Sequence, residues 1–449
     1  MKYYSTNKNS PEVSFQDALI TGQAPDRGLY LPKSYPKLSQ DIIASFKEKP
    51  YWEIAKIVAL NLLQGEVPEA DLERIVKEAY DFDVPIKTIT ENLSVLYLDQ
   101  GPTLSFKDFA ARMMARLMSY FIEQRDQKLT ILTATSGDTG GAVADAFYKV
   151  KNIDVIVLYP YKEISERQRK QMTTLGENIT AIGVNGKFDD CQAMVKEAFA
   201  DPDLTYINLS SANSINFGRL LPQTVYYFYA YSRLVDNDGK IIFSVPSGNF
   251  GDLMGGIIAS KMGLPVERFI AAVNENDEFP RFLETGTYSK IEPSKACLSN
   301  AMNVGHPSNL ARLIDLYGGH LDEKGTLLEK PDMEAMNKDI YSVSVSDEET
   351  RQTIKEAYEN HQVVFEPHGA VGWKGLLTYV STHDVETACC SFETAHPCKF
   401  PEEIRSILKI EPDLAPNMAA LLKKPETITN ISANYSEFKE ILEEKYKNV

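Results

Sequence analysis

The chain has 449 residues, enough to bury large cores in two or more domains, and its 43% apolar content with ordinary glycine and proline excludes a disordered or fibrous protein. With 47 basic and 63 acidic residues the formal charge is −16, which excludes nucleic acid and anionic membrane as partners because both demand basic patches. An anionic substrate must therefore be captured by local groups against a repulsive overall field.

The opening stretch MKYYSTNKNSPEV has no apolar core of a secretory signal and too few arginines for a transit peptide. EIAKIVALNLL, the most apolar helical stretch, is short and interrupted by Lys56, so no membrane span is expected. Five cysteines without framework spacing fit reduced thiols, and the expected location is cytoplasmic. In CCSFETAHPC, the set Cys389, Cys390, His396 and Cys398 matches no usual zinc spacing and reads as small buried thiols at a strand end.

Residues 1–94 read as a mainly helical N-terminal region. In VPEADLERIVKEAY, Pro68 opens a helix whose Leu72, Ile75, Val76, Ala79 and Tyr80 form one apolar stripe. No run in this region has catalytic spacing, so a packing role is expected. From Val95 short apolar runs alternate with helical stretches: VLYL, LTILTA, DVIVLY, ITAIGV, YINL, KIIFSV and RFIAAV. Such runs between helices indicate parallel sheets in an α/β fold, with ligands collecting at the carboxyl ends of strands. The long stretch RLLPQTVYYFYAYSRL reads as a single helix.

The loops after these strands carry the chemistry. In GPTLSFKDFAARMMARLM, Lys107 stands at a helix start, where exposed N–H groups disfavour a cation. Ser105 and Asp108 have capping-box spacing, with Asp in place of Glu. Apolar neighbours Phe106, Phe109, Met113, Met114 and Leu117 add desolvation, which also lowers an amine's pKa. A lysine so placed can attack a carbonyl to form an imine and later serve as a base. In TATSGDTGGA, Thr135, Ser136, Asp138 and Thr139 either dock an anion or simply cap a helix. In SSANSINFGRL, Asn213, Ser214 and Asn216 offer neutral donors and Arg219 a planar fork suited to phosphate or carboxylate, though a capped helix with a surface arginine gives the same pattern. In PSGNFGD, the turn Ser247–Asp252 leads from a strand into a helix as phosphate cradles do, yet its spacing is neither that of a Walker loop nor that of a dinucleotide fingerprint. An imine-forming lysine with a phosphate cradle and no nucleotide signature points to pyridoxal 5′-phosphate.

The motifs DRGLYLP, TLSFKDFA, TATSGDTGGA, NSINFGRLLPQ, PSGNFGD, AMNVGHPSN and ETAHPCKF, in this order along the whole chain, resemble those of the threonine synthase family. The resemblance implies a fold type II pyridoxal-phosphate enzyme, with two open sheets, flanking helices and the N-terminal helical region. The implied division is 95–128 as the start of the cofactor core, 129–211 as a smaller mobile α/β domain, and 212–449 as the large domain. By resemblance Lys107 carries the cofactor as a Schiff base, and Gly248, Asn249, Phe250, Gly251 and Asp252 hold its phosphate, Asp252 through its backbone N–H. Thr394 meets the pyridine nitrogen, and Asp138 lies near the ring 3′-oxygen, where a carboxylate and a phenolate would conflict. Thr135, Ser136 and Thr139 would serve the substrate carboxylate, and Asn213, Ser214, Asn216 and Arg219 its phosphate.

The implied reaction converts O-phospho-L-homoserine and water to L-threonine and phosphate, by γ-elimination and β-addition of water, in a monomer or small homo-oligomer. A dehydratase is the same-class rival and lacks need for the Asn213–Arg219 clamp. A non-catalytic ligand binder would not need Lys107, and a kinase would need an ATP lysine and a magnesium carboxylate pair that are not evident. His306 and His368 read as satisfied histidines without a catalytic role.

Overall fold

The computed structural model describes residues 1–236 and 239–447. Its larger sheet has the strand order Ile340–Ser344, Val266–Val273, Ile241–Pro246, Ala388–Glu393, Leu93–Tyr97, Ile86–Thr88. All neighbours are parallel except the last pair, which is antiparallel. Alternate side chains serve opposite faces, as strand geometry requires. Ile242, Ile270 and Cys389 pack with Trp373 and Leu376 of the helix Pro367–Thr382. Phe243, Phe269 and Phe392 face the other way onto Tyr227, with ring centroids 4.9 to 6.1 Å from it. A parallel sheet needs this double cover because neither face can be left to water.

The smaller sheet is wholly parallel, in the order Thr429–Ser432, Ile179–Asn185, Ile153–Pro160, Leu129–Ala134, Leu209–Ser210. One face, carrying Leu132, Ile156, Leu158 and Ile182, packs on the helices Phe188–Ala200 and Tyr435–Tyr446. Its other face joins the main core that also holds the helices Lys107–Arg125 and Asp138–Phe147.

Two boundaries differ from the sequence expectation. The larger sheet already begins at Ile86, ahead of residue 95. The chain's end does not stay in the larger unit, as the span 212–449 implied: Thr429–Ser432 is an edge strand of the smaller sheet, and Phe438 and Leu442 bury against it. That strand has an exposed, polar edge pattern instead of a continuous apolar run, the signal used to find the others. The stretch expected as one long helix is also broken, into Leu220–Gln223 and Val225–Leu234. Pro222 lacks an N–H, and the Thr224 hydroxyl donates to the Leu221 carbonyl at 2.6 Å.

The N-terminal stripe Leu72, Ile75, Val76, Ala79 and Tyr80 is buried as expected. A hairpin of Tyr3–Ser5 with Tyr30–Pro32 and the helix Phe15–Thr21 bring this region against residues 211–219. The loops after Tyr97, Ala134, Ser210, Pro246 and Glu393 all leave the carboxyl ends of strands, and those of the two sheets meet where Lys107 and Lys399 approach Asp138.

Candidate active site

Lys107 is positioned by a loop stapled to the strand end at Glu393. Leu98 N–H donates to the Glu393 carbonyl at 2.9 Å, Phe106 N–H to Thr394 at 2.9 Å, and His396 N–H to Leu104 at 3.0 Å. The capping box expected between Ser105 and Asp108 does not form. The Asp108 carboxylate turns back to accept from the Thr103 N–H at 2.8 Å and from the Thr103 hydroxyl, while the buried Ser105 hydroxyl has no partner. Gly101 permits this, since a Cβ there would lie 2.4 Å from Asp108 Oδ2.

The Lys107 side chain is 12% exposed, its Nζ 3.5 Å from Asp138 Oδ2 and 4.4 Å from the centroid of the Phe106 ring. Burial pushes the amine below the ordinary lysine range; Asp138 opposes this, and Lys399 and Arg219 add to it.

Asp138 opens the helix Asp138–Phe147 after a turn built by Thr135 and Gly137. The Thr135 hydroxyl accepts from Gly137 N–H at 3.0 Å and Gly140 N–H at 2.9 Å and donates to the Gly137 carbonyl. It is thus committed to the loop and unavailable to a substrate carboxylate, contrary to expectation. Ser136 and Thr139 are partly exposed and keep their hydroxyls free among the described residues. Asp138 Oδ1 pairs with Lys399 Nζ at 2.8 Å and accepts from Gln168 Nε2 at 3.0 Å. Burial alone would raise its pKa, but Lys399 first, then Lys107 and His368, hold the carboxyl well below its ordinary range. The conflict anticipated between this carboxylate and a neighbouring anion is answered by Lys399, which already neutralises it.

In the larger unit, the turn Ser247–Asp252 enters the helix Gly251–Lys261 with Phe250 in the left-handed region at φ 59°. Asn249 braces it, accepting at Oδ1 from Ser308 N–H and at its carbonyl from Asn309 Nδ2 at 3.0 Å. The Asp252 side chain accepts from the Tyr226 and Tyr227 hydroxyls, at 2.5 and 3.0 Å. A Cβ on Gly251 would stand 3.3 Å from Ser214 Cβ and 3.5 Å from Gln223 Oε1, so this turn lies against the residues expected to clamp phosphate.

Within that second loop the roles divide. Asn213 anchors through Nδ2 to the Ala134 carbonyl at 3.1 Å and leaves Oδ1 unpaired. Ser214 is partly exposed, its carbonyl held by Arg312 at 3.0 Å and by Asn309 at 3.3 Å. Asn216 is not a clamp residue: its amide donates to Leu19 and Ser211 carbonyls at 2.8 and 2.9 Å, and its Oδ1 accepts from Gly218 N–H, so the fold consumes every polar atom of the side chain. Arg219 is 2% exposed, with one nitrogen on the Ala212 carbonyl at 2.7 Å and Nε without a partner; burial lowers its pKa to about 10.

At the remaining wall Thr394 is buried, its hydroxyl 3.5 Å from Glu366 Oε1. Glu366 also accepts from His368 and Gly369 N–H groups at 2.9 and 2.8 Å and from His368 Nδ1. Because Ala301 N–H donates to His368 Nε2 at 3.0 Å, the ring proton sits on Nδ1. His368 therefore links the Thr394 wall to residues 301–302, which back Gly248. His306 pairs instead with the Tyr288 hydroxyl at 2.6 Å, outside this set.

The sequence reading missed Lys399, Gln168, Glu366 and Arg312. Arg312 is fully buried and donates to Tyr30, Ser214 and Ile215 carbonyls at 3.0, 3.0 and 2.6 Å, so the N-terminal region braces the clamp loop as well as packing. One signal for Lys399 was present: an aspartate at an apolar helix start, once buried, demands a cation.

These residues fit pyridoxal phosphate. A largely buried amine of lowered basicity lies within electrostatic reach of Asp252 in the glycine turn, and Asn213 Oδ1, Arg219 Nε and Gln223 Oε1, in the segment packed on that turn, are buried polar atoms left without partners. Together with the two largely parallel sheets whose strand-end loops meet there, they define a fold type II pyridoxal-phosphate enzyme. Known proteins agree: residues 86–388 match the family described as pyridoxal-phosphate dependent enzyme, residues 2–80 the threonine synthase N terminus, and residues 369–442 the threonine synthase C-terminal family. A threonine synthase from Haemophilus influenzae is 41% identical over 413 residues, 92% of each chain, and one from Escherichia coli is 37% identical over 98% of this chain and 99% of its own. The crystal structure of a pyridoxal-phosphate-bound threonine synthase from Brucella melitensis superposes with a TM-score of 0.93 at 36% identity, covering 99% of both chains. The chain belongs to the threonine synthase family.

Proposed function

We propose that Lys107 is the residue through which this chain performs the threonine synthase reaction, the conversion of O-phospho-L-homoserine and water to L-threonine and phosphate. The observation that carries this is a largely buried amine 3.5 Å from Asp138 and within electrostatic reach of Asp252 in the Ser247–Asp252 turn. Lys107 and the N–H groups of residues 248–252 would hold the cofactor, which when bound would supply an electron sink that makes protons on the substrate's α and β carbons acidic. Lys107 Nζ would take the α-proton and is the base at hand for the β-proton. A desolvated amine of lowered pKa suits both tasks, since a base works best near the operating pH.

The clamp for the substrate phosphate is proposed to be Asn213, Ser214 and Arg219, with Asn216 and Arg312 holding that loop in shape. Arg219, buried and short of partners, would gain the charged acceptor it lacks. Ser136 and Thr139, with free hydroxyls, would receive the substrate carboxylate. Thr394, neutral and backed by Glu366, would meet the pyridine nitrogen without donating a full proton to it. Residues 129–211 are proposed to close toward the larger unit, excluding water until the β-carbon is ready for it. We place the enzyme in the cytoplasm, where its five unpaired cysteines would stay reduced. Among the described residues no helix is long and apolar enough to cross a membrane.

Incubation with O-phospho-L-homoserine should release phosphate and L-threonine in equal amounts. Ammonia release from L-threonine without phosphate release from phosphohomoserine would instead mark a dehydratase.

A further inference from the structure

Lys399, in the turn after Thr394, is fully buried, and its ammonium has two partners: Asp138 Oδ1 at 2.8 Å and the Thr103 carbonyl at 2.9 Å. The other Asp138 oxygen lies 3.5 Å from Lys107 Nζ. One carboxylate thus stands between two amines, and the shorter pairing is with Lys399. A buried lysine is tolerated only when paired and hydrogen-bonded, so Lys399 and Asp138 form a unit of matched charge.

The groups facing Lys107 come from every surrounding element. Asp138 comes from its own helix, Lys399 from the turn after Thr394, Arg219 from the clamp loop, Glu366 from the start of the Pro367–Thr382 helix and Asp252 from the glycine turn. Glu366 is engaged by His368, Gly369 and Thr394, and Asp252 by two tyrosine hydroxyls. Asp138 is the carboxylate that makes an ion-pair contact with Lys107 among the described residues. Alone it would hold Lys107 as an ammonium, since an opposite charge within 4–6 Å raises an amine's pKa by about 1–3 units.

We propose that Lys399 is a positioning residue for the lysine chemistry: by pairing with Oδ1 of Asp138 and offsetting its charge, it keeps that carboxylate from fixing a proton on Lys107. The proposal rests on Lys107 being the reactive amine. The balance of charges around Lys107 agrees in sign, with Asp138 raising its proton affinity and Lys399 lowering it.

The test is a pH titration of the visible absorption of the holoenzyme, which reads the proton on the nitrogen that joins lysine to cofactor. In Lys399→Met the midpoint should move up by about 1–3 units, while Lys399→Arg, which keeps the charge, should stay near the parent. In the double variant Asp138→Asn/Lys399→Met, which removes both charges, the midpoint should return to within about half a unit of the parent. If Lys399→Met does not load cofactor, the double variant decides alone. An unmoved midpoint in loaded Lys399→Met, or a displaced one in the double variant, overturns the proposal. Borohydride reduction and peptide mapping separate the two failures: label on Lys107 in loaded Lys399→Met with an unmoved midpoint defeats only the role of Lys399, whereas label on another lysine in the parent defeats the assignment of Lys107 itself.

Discussion

Lysine and aspartate side chains set the character of this site by where they are buried. Lys107 loses proton affinity because water is withdrawn from it, and Asp138 keeps its charge because Lys399 stands beside it. Three other carboxyls, Asp99, Asp108 and Asp252, go the opposite way: burial raises each from 3.8 to about 6 despite their hydrogen bonds. A carboxyl whose pKa is higher in the folded state binds a proton more tightly there than when unfolded. Its contribution is therefore fully present below 3.8 and is lost as pH rises through about 6. Urea unfolding of Asp99→Asn, Asp108→Asn and Asp252→Asn beside the parent should show the parent losing stability relative to each variant as pH climbs from 3.8 to about 6. A parent that gains stability relative to these variants across that window would contradict the burial described for them.

At the scale of single elements, the turns that carry function are built from glycines and from polar groups that face inward. Gly248 is an example: a Cβ there would lie 3.0 Å from Met302 Cα and 3.1 Å from the Ala301 carbonyl, in a segment pinned by His368. Gly248→Ala should shift the phosphate turn and weaken cofactor binding about 10- to 100-fold, the equivalent of the ~1–3 kcal/mol typical of overpacking. Titration of the apoprotein with pyridoxal phosphate reads this directly, and unchanged affinity would mean the turn does not hold the cofactor. Such turns were legible in the sequence because the signal is local: a strand, a glycine or hydroxyl cluster, then a helix start. What escaped notice depends on residues distant along the chain. Lys399 meets Asp138 across 261 positions (399 minus 138), and Arg312 meets Ser214 across 98, so nothing in either neighbourhood names its partner. Asn216 and Thr135 have the chemistry of ligand contacts but satisfy their own loops, a distinction that only hydrogen-bond geometry draws.

On the scale of the whole molecule, two sheets meet at their strand-end loops and the chain crosses between them more than once. The parallel sheets were readable from continuous apolar runs. The return of the C-terminal segment to the smaller sheet was not, because an edge strand exposed on one side, Thr429–Ser432, has no such run. Truncation after Glu426 should strip this strand and the helix Tyr435–Tyr446, exposing the apolar surface that Phe438 and Leu442 cover. Burying each such side chain stabilises by about 1.5–3 kcal/mol, so the truncated chain should unfold earlier and be cut by protease first within residues 129–211. Equal resistance of the two forms would show that the terminal segment does not support the smaller unit. Since that unit bears Ser136, Asp138 and Thr139, the truncation should also reduce turnover.

The most direct test of the central claim is a crystal structure of the cofactor-loaded enzyme. It should show continuous density from the cofactor's aldehyde carbon to Lys107 Nζ, with the phosphate on the backbone N–H groups of residues 248–252. Density joined to another lysine, or a phosphate seated away from that turn, would contradict it.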